Sequence, residues 1–378
     1  MQLRTLGSTG LDVSILGLGC MRLPVVDGDP TRIDEDAAGA LLRRAVELGV
    51  NYLDTAHPYH GGESERWLGR ALTPELRRKV LVATKLPPWP VQTLDDCERI
   101  LEEQLTRLAT DRIDLYLLHS LNARYWPRLR DLGVLEFLER ARADGRIGPV
   151  GFSFHDQLPV FREIVDAWDW AFCQIQYNYM DEEVQAGTAG LEYAAARGLG
   201  VVVMEPLRGG RLGTAGAPGL EEIWAGGPGP ADTALRWVWD RPEVAVVLSG
   251  MNTTEQLEAN AAAADRAAPG ALPPGDRDRI HRARAWYARR RTIPCTFCQY
   301  CLPCPQGVNI PRLFELMNDA VMFGDWGAVR RRYNQFTPAD EIASHCVSCG
   351  RCEEACPQNI AIAEELEQVH RALFEDPR

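Results

Sequence analysis

Residues 51–85 read NYLDTAHPYHGGESERWLGRALTPELRRKVLVATK. The stretch opens on a β-rich run, NYLDT at 51–55, and closes on another, VLVATK at 80–85, with a helical segment around Ser64–Ala71 between them. Both runs are apolar with little alternation, as expected of strands in a parallel sheet covered by helices. Working outward, the same unit recurs. Upstream, a first buried strand over Ile15–Leu18 precedes a helix over 35–48 that Gly49 ends. Downstream, strands at 113–119, 148–154, 172–177, 200–205 and 244–250 alternate with helices at 93–109, 131–144, 157–167, 188–197, 230–240 and 253–265. Residues 2–6 and 11–15 flank Gly7-Ser8-Thr9-Gly10 and predict a β-hairpin ahead of the first unit.

Eight strand-then-helix units in about 270 residues predict an α/β fold, a (β/α)8 TIM barrel. A doubly wound sheet is the competitor, but LGLGCM at 16–21 is not the glycine-rich loop such a sheet carries after its first strand. The Pro- and Gly-rich stretch RAAPGALPPGDRD at 266–278 has no periodicity. The expected organisation is a barrel over 1–267, a linker over 268–280 and a cysteine-rich domain over 281–378.

The chain has 378 residues, 46% hydrophobic and 25% charged, and a net charge of −12. That charge excludes the basic footprint of a nucleic-acid binder. No apolar run approaches the ~20 residues of a membrane helix, and MQLRTLGSTGLDV has no apolar core behind a charged start. The expectation is a cytoplasmic protein without nucleic-acid or membrane partners, in which clustered cysteines read as metal ligands before disulfides.

In such a barrel, chemistry sits where strands end. Asp54 ends the second strand, Lys85 the third and His119 the fourth, while Tyr59 follows on the loop after Asp54. A Lys at the end of an apolar strand needs a partner, and Asp54 is the obvious carboxylate. A Lys beside a Tyr hydroxyl favours the phenolate, so the expectation is a Tyr59 with lowered pKa acting as general acid. Taken singly, these residues read as an ion pair and a core histidine; four at successive strand ends read as a site.

The segments QLRTLGSTGLDVSILGLG, NYLDTAHPY-GGESERWLGRAL, LVATK, DLYLLH and QLEAN resemble the aldo-keto reductases over about residues 1–265. The resemblance implies the same barrel and the catalytic tetrad Asp54, Tyr59, Lys85 and His119. Tyr59 would exchange the proton of the carbonyl or alcohol oxygen, Lys85 with Asp54 would tune it, His119 would orient the oxygen, and a nicotinamide would exchange hydride. By the same resemblance Ser153 and Gln174 would hold the carboxamide and Met204 would pack on the ring, although Phe154 stands where Asn is usual. Gly250, Met251, Gln256 and Asn260 fall at the adenosine phosphate positions, where the family's NADP(H)-dependent members usually carry Lys, Ser and Arg at the first three. Only Asn260 matches, so NAD, NADP or a flavin all stay open. Arg208, in PLRGG after the seventh strand, could reach a cofactor phosphate.

CTFCQYCLPCP at 295–305 places Cys295, Cys298, Cys301 and Cys304 ahead of a proline. HCVSCGRCEEACP at 345–357 places Cys346, Cys349, Cys352 and Cys356 likewise. The second run has the bacterial ferredoxin spacing, and the pair resembles a two-cluster ferredoxin domain. That resemblance implies two [4Fe–4S] clusters, one on Cys295, Cys298, Cys301 and Cys356, the other on Cys346, Cys349, Cys352 and Cys304. Zinc and disulfides are the weaker alternatives. Residues 310–333 predict one or two packing helices in an α-rich domain. The layout resembles an iron–sulfur branch of the aldo-keto reductases.

Trp89, Tyr125 and Trp126 could line the substrate mouth or pack loops. RARAWYARRR at 282–291 reads as a solvated basic helix face, and Cys20, Cys97 and Cys173 as small apolar residues. The expected function is oxidation or reduction at a carbonyl or alcohol carbon, with the clusters as electron relay and an electron-transfer protein such as a ferredoxin as partner. Its alternatives are an NAD(P)H-dependent reductase with structural clusters, and a non-catalytic electron-transfer or partner-binding subunit.

Overall fold

The structure is a computed structural model that describes residues 1–215, 219–295 and 299–374. The chain divides into two units, one of Met1–Ala215 with Trp224–Ile280, the other of Gly216–Ile223 with His281–Arg378.

In the first unit a hairpin of β1 (Leu3–Thr5) and β2 (Asp12–Ser14) precedes β3 (Leu16–Gly19), α1 (Glu35–Glu47) and β4 (Tyr52–Asp54). Then follow α2 (Glu63–Ala71), α3 (Pro74–Arg77), β5 (Leu81–Leu86), α4 (Leu94–Arg107), β6 (Leu115–Leu121), α5 (Tyr125–Asp131) and α6 (Val134–Ala143). The remaining turns of the barrel are β7 (Val150–Phe154), α7 (Leu158–Ala167), β8 (Phe172–Gln176), α8 (Gly187–Ala196) and β9 (Gly200–Met204). Past α9 (Glu221–Trp224), whose first three residues belong to the second unit, they continue through α10 (Pro230–Trp239), β10 (Val244–Ser249), α11 (Thr254–Asp265) and α12 (Pro274–Ala288), the last extending into the second unit. Strands β3 to β10 are parallel and close into an eight-stranded barrel in the order β10-β3-β4-β5-β6-β7-β8-β9.

Successive strand residues point to opposite faces of a sheet, and this alternation builds two cores. One holds Tyr52, Ala83, Leu115, Leu117, Phe172 and Val202, the barrel interior. The other holds their neighbours Leu53, Val82, Tyr116, Leu118 and Val201 with the apolar faces of the helices. Gly151 makes room inside, because a Cβ there would stand 2.6 Å from the Phe172 carbonyl oxygen. From the hairpin, Arg4 reaches the carbonyls of Trp239 and Arg241 and ties the N-terminal segment to the chain leading into β10.

The helix expected at 131–144 is α6, and the shorter α5 precedes it; the two are parted at Gly133, whose left-handed φ of 81° no regular helix permits. Residues 274–280, expected in the linker, begin α12, with Pro274 at a helix start where its missing N–H is harmless.

In the second unit α13 (Ile310–Phe323), α14 (Trp326–Arg331), α15 (Arg351–Glu354) and α16 (Ile362–Leu373) surround a small core of Leu313, Phe314, Leu316, Tyr333, Leu366 and Val369. Trp286 and Tyr287, expected on a solvated face, are buried, and Arg290 stacks over the Trp286 ring at 3.3 Å. Among the described residues no helix is long and apolar enough to cross a membrane.

Candidate functional site

The inward alternation that fills the barrel also aims the polar residues. Asp54 lies two residues beyond Tyr52, Lys85 two beyond Ala83 and His119 two beyond Leu117, so all three continue the inward face at the carboxyl ends of their strands. Lys85 is fully buried and its Nζ donates to Asp54 Oδ1 at 2.7 Å and to the Thr55 carbonyl at 2.7 Å. The same ammonium lies 5.1 Å from the Tyr59 ring centre, close enough for each group to act on the other's ionisation. The Tyr59 ring meets His119 edge-on at 6.2 Å. The four expected residues are therefore brought together.

Burial alone would lower the Lys85 pKa, but the Asp54 carboxylate and the Tyr59 hydroxyl together outweigh it, and the ammonium is held above its usual value. Burial pushes the Tyr59 phenol up, and Lys85 opposes this without cancelling it. The expected lowering of Tyr59 is thus corrected: its walled-in hydroxyl keeps its proton through the neutral range, while part of the ring stays open. Burial, then Lys85, then His155 and His57 drive the His119 imidazole well below its usual pKa, so it is neutral. His119 Nδ1 and Asp54 Oδ2 have no hydrogen-bond partner.

Trp89 lies 5.4 Å from the His119 ring and is 42% exposed, at the mouth. Trp126 is fully buried against Trp170 at 6.2 Å and takes no part there. Tyr125 is flanked by the guanidinium groups of Arg124 and Arg128. Cys20, read as a plain apolar residue, is close enough to Asp54 and Lys85 to feel both, and its thiol is pushed up to about 12, mainly by burial.

Ser153 and Gln174 continue the inward faces of β7 and β8 beyond Gly151 and Phe172. Ser153 Oγ accepts from the Ser120 N–H at 2.8 Å, which leaves its hydroxyl hydrogen to donate. Gln174 is buried, its Nε2 faces Met204 Sδ at 3.7 Å, and its Oε1 is without a partner. Asn260 Nδ2 donates to Ser249 Oγ at 3.1 Å, and Gln256 Oε1 accepts from the Asn252 N–H at 3.0 Å. Met251 is buried in the sheet–helix core, so its side chain is not presented to a ligand. Arg208 pairs with Asp181 at 3.5 Å and is largely covered. Sequence reasoning missed Arg22, which follows the first barrel strand. It lies over Gly250, where a Cβ would stand 3.3 Å from its side chain, and it is 44% exposed with Glu205 at 3.3 Å.

In the second unit Cys295, Cys301 and Cys356 line one apolar pocket with Ile310, Phe314 and Ile362. Cys298 lies outside the described residues. Cys304, Cys346 and Cys352 border the same small core, Cys346 is near enough to Cys352 to act on its thiol, and Cys349 is exposed. Asn318 Oδ1 accepts from the N–H groups of Thr292 and Ile293 at 3.1 and 3.0 Å, and its Nδ2 donates to the Ile293 carbonyl at 2.9 Å, pinning the chain just ahead of Cys295.

Comparison with known proteins bears on both units. Residues 15–269 match the aldo/keto reductase family, and residues 294–361 match the 4Fe-4S dicluster domain. The chain is 28% identical to L-galactose dehydrogenase of Arabidopsis thaliana, over 70% of this chain and 88% of that one. It is 30% identical to 6-dehydroglucose reductase of Novosphingobium aromaticivorans, over 55% of this chain and 70% of that one. Its fold matches an aldo-keto reductase from Bacillus halodurans, holo form, with TM-score 0.62 and 26% identity, covering 75% of this chain and 96% of that one. It also matches an aldo-keto reductase from Klebsiella pneumoniae in complex with NADPH, with TM-score 0.61 and 24% identity, covering 75% and 95%. With the barrel closed, the polar strand ends converged and two thirds of its length matched, the chain belongs to the aldo/keto reductase family of oxidoreductases, and it carries a C-terminal 4Fe-4S dicluster domain.

Proposed function

We propose that the barrel interconverts a carbonyl and an alcohol, with Tyr59 carrying the proton. The observation that supports this reading most is the buried Asp54–Lys85 pair set against Tyr59, beside a neutral His119. Tyr59 holds its proton at neutral pH and gives it to the substrate oxygen. Lys85, kept charged by Asp54, supports the phenolate left behind. His119, uncharged, orients the oxygen by a hydrogen bond without competing as an acid.

The residues present fit a nicotinamide. The unpaired Gln174 Oε1 is a buried acceptor for a carboxamide N–H, and the Ser153 hydroxyl is a donor for its carbonyl. Met204 adds a polarizable surface beside them. A nicotinamide, when bound, supplies or accepts the hydride. Arg22 over Gly250 offers the guanidinium that Gly250, Met251 and Gln256 lack, and a guanidinium suits a phosphate. No residue pattern calls for a flavin.

Two relatives are named for sugars, L-galactose dehydrogenase and 6-dehydroglucose reductase. The half-exposed Trp89 face beside His119 suits the C–H face of a sugar, so we assign a small polyhydroxylated carbonyl or alcohol as substrate class. For the second unit we assign Cys295, Cys298, Cys301 and Cys356 to one [4Fe–4S] cluster and Cys304, Cys346, Cys349 and Cys352 to the other. The pocket that gathers Cys295 and Cys301 with Cys356 from the other run supports the crossed set. In a second reading these clusters relay electrons to or from the barrel.

Tyr59→Phe is the test. Carbonyl reduction should fall by on the order of 10²–10⁴, with nicotinamide affinity little changed; near-normal turnover would remove Tyr59 from the mechanism. Because burial raises the Tyr59 pKa, alcohol oxidation, which needs the phenolate, should speed up steadily as pH rises through the neutral range. Reduction, which needs the phenol, should stay flat over the same range.

A further inference from the structure

Behind the barrel wall, on the side facing away from the site, lies a polar cluster in an otherwise apolar layer. Thr84 precedes Lys85 and so points outward, where its Oγ1 donates to Glu65 Oε1 at 2.6 Å. Gln104, on α4, donates from Nε2 to the same Glu65 oxygen at 2.8 Å and to the Lys85 carbonyl at 3.0 Å. Its Oε1 accepts from the Tyr116 hydroxyl at 2.8 Å. One helical turn further, Arg107 pairs with Glu65 Oε2 at 3.2 Å and donates to the His57 carbonyl at 3.4 Å, with Glu103 as a further partner. Glu65 is fully buried.

We infer that Glu65, Gln104 and Arg107 are positioning residues that set the distance between Tyr59 and Lys85. The inference rests on the role proposed for Tyr59. One arm, Gln104, holds the backbone of the residue that carries the ammonium. The other arm, Arg107, holds the backbone of the loop that carries the phenol, since His57 stands two residues before Tyr59. Gln104 and Arg107 lie three apart on one helix and so share a face, and the two oxygens of Glu65 lock them to each other. The loop has backbone ties of its own: the Tyr59 N–H donates to the Ala56 carbonyl at 3.1 Å, and the Tyr59 carbonyl accepts from the Glu63 N–H. His60, Gly61 and Gly62 between them take left-handed φ values of 54°, 66° and 96°, so the turn does not continue as regular helix, and Arg107 adds a tie from α4 at His57. A buried carboxylate is costly to maintain unless paired and hydrogen-bonded, and here its partners lead to the strand end that bears Lys85, through Thr84 and Gln104, and to the loop that bears Tyr59, through Arg107.

Gln104→Met keeps the volume and removes the arm to Lys85. Arg107 Nη1 makes both the Glu65 and the His57 contacts; Arg107→Lys keeps the charge but has a shorter side chain with a single nitrogen, which facing Glu65 falls short of the His57 carbonyl, and it carries the test should the first variant fail to fold. In a folded variant, kcat for carbonyl reduction should drop about tenfold to a hundredfold, the scale of a small misplacement of reacting groups. Nicotinamide dissociation should stay within about twofold, the mark of an effect confined to the transition state. Adding either change to Tyr59→Phe should cost little more. Normal kcat in a folded variant, or losses that add in full, would overturn the inference. If Tyr59→Phe itself turns over normally, the proton-donor reading fails, and the positioning is read directly instead. Ultraviolet difference titration, with Tyr59→Phe as the blank, should then show Tyr59 ionising at higher pH in Gln104→Met than in the parent, and an unmoved titration refutes it.

Discussion

Lys85 concentrates the energetics of the barrel mouth in one side chain. It is wholly buried, bound to Asp54 Oδ1 and the Thr55 carbonyl, and has no access to water. Removing it leaves Asp54 as an unpaired buried charge. Lys85→Met should therefore cost about 3–5 kcal/mol of stability, while Asp54→Asn combined with Lys85→Met should recover most of that loss in urea unfolding and stay inactive. A double variant as unstable as the single one would show that the pair is not the stabilising unit. His119 gives a pH dependence of definite sign. Its folded pKa lies well below the usual histidine value, so as pH falls past about 6.5 the unfolded chain binds a proton that the folded chain refuses. Stability contributed by the neutral imidazole is present above that pH and is lost as acid is added. The melting temperature should fall between about pH 7 and 5, and less steeply in His119→Asn; equal slopes would place the titrating group elsewhere. Their place as polar residues at the ends of apolar strands was enough to find Asp54, Lys85 and His119 in the sequence. The pKa of Tyr59 was not legible, because its sign depends on how fully the hydroxyl is enclosed, which only the packed loop decides.

At the scale of elements, the strands read best because each carries an unbroken apolar run. The helices that escaped notice lack that contrast. The opening of α12, residues 274–280, shows no apolar stripe, and its Pro and Gly suggested a linker ahead of the helix face read at 282–291, yet Pro274 is a helix-opening residue. The helix Ile362–Leu373 buries Ile362, Leu366, Val369 and Leu373 and was masked in the sequence by the cysteine run just before it. Arg22 and the Glu65 layer were invisible for a different reason: their partners are distant in sequence, Gly250 meeting Arg22 where β10 closes beside β3 and Gln104 meeting Glu65 where α4 packs beside α2. One side chain on α13 has an element-sized task. Asn318 makes three hydrogen bonds to the backbone of Thr292 and Ile293, the residues leading to Cys295, and accepts a longer one from the Thr292 hydroxyl. Asn318→Leu strands two backbone N–H groups, at about 1–3 kcal/mol each if they stay buried. Iron should then be lost to a chelator faster than from the parent protein, with carbonyl reduction by the barrel unchanged. Equal iron-release rates would remove Asn318 from any part in holding the first cluster.

The whole molecule joins two chemistries that count electrons differently. A nicotinamide moves two electrons together with a proton as hydride, whereas a [4Fe–4S] cluster moves one at a time. Cluster content itself is the first measurement: anaerobic protein carrying the two proposed cysteine quartets should hold near eight irons per chain, and stoichiometric zinc in their place would refute the assignment. The second measurement asks whether the clusters share the circuit. Hydride alone cannot pass into a one-electron centre without a group that splits the pair, and the barrel mouth offers Tyr59, Lys85 and His119, which handle protons and not single electrons. Added NAD(P)H should therefore leave the visible absorbance of the oxidised clusters unchanged, while dithionite bleaches it. Carbonyl reduction should run on NAD(P)H with the clusters oxidised throughout. If NAD(P)H bleaches the clusters, or if dithionite drives turnover that NAD(P)H does not, the relay reading holds, and the protein must carry a pair-splitting cofactor such as a flavin or reduce its substrate in single-electron steps with Tyr59 as the proton source. Flavin analysis of the same anaerobic sample separates those two cases, because only the first leaves a bound isoalloxazine to extract.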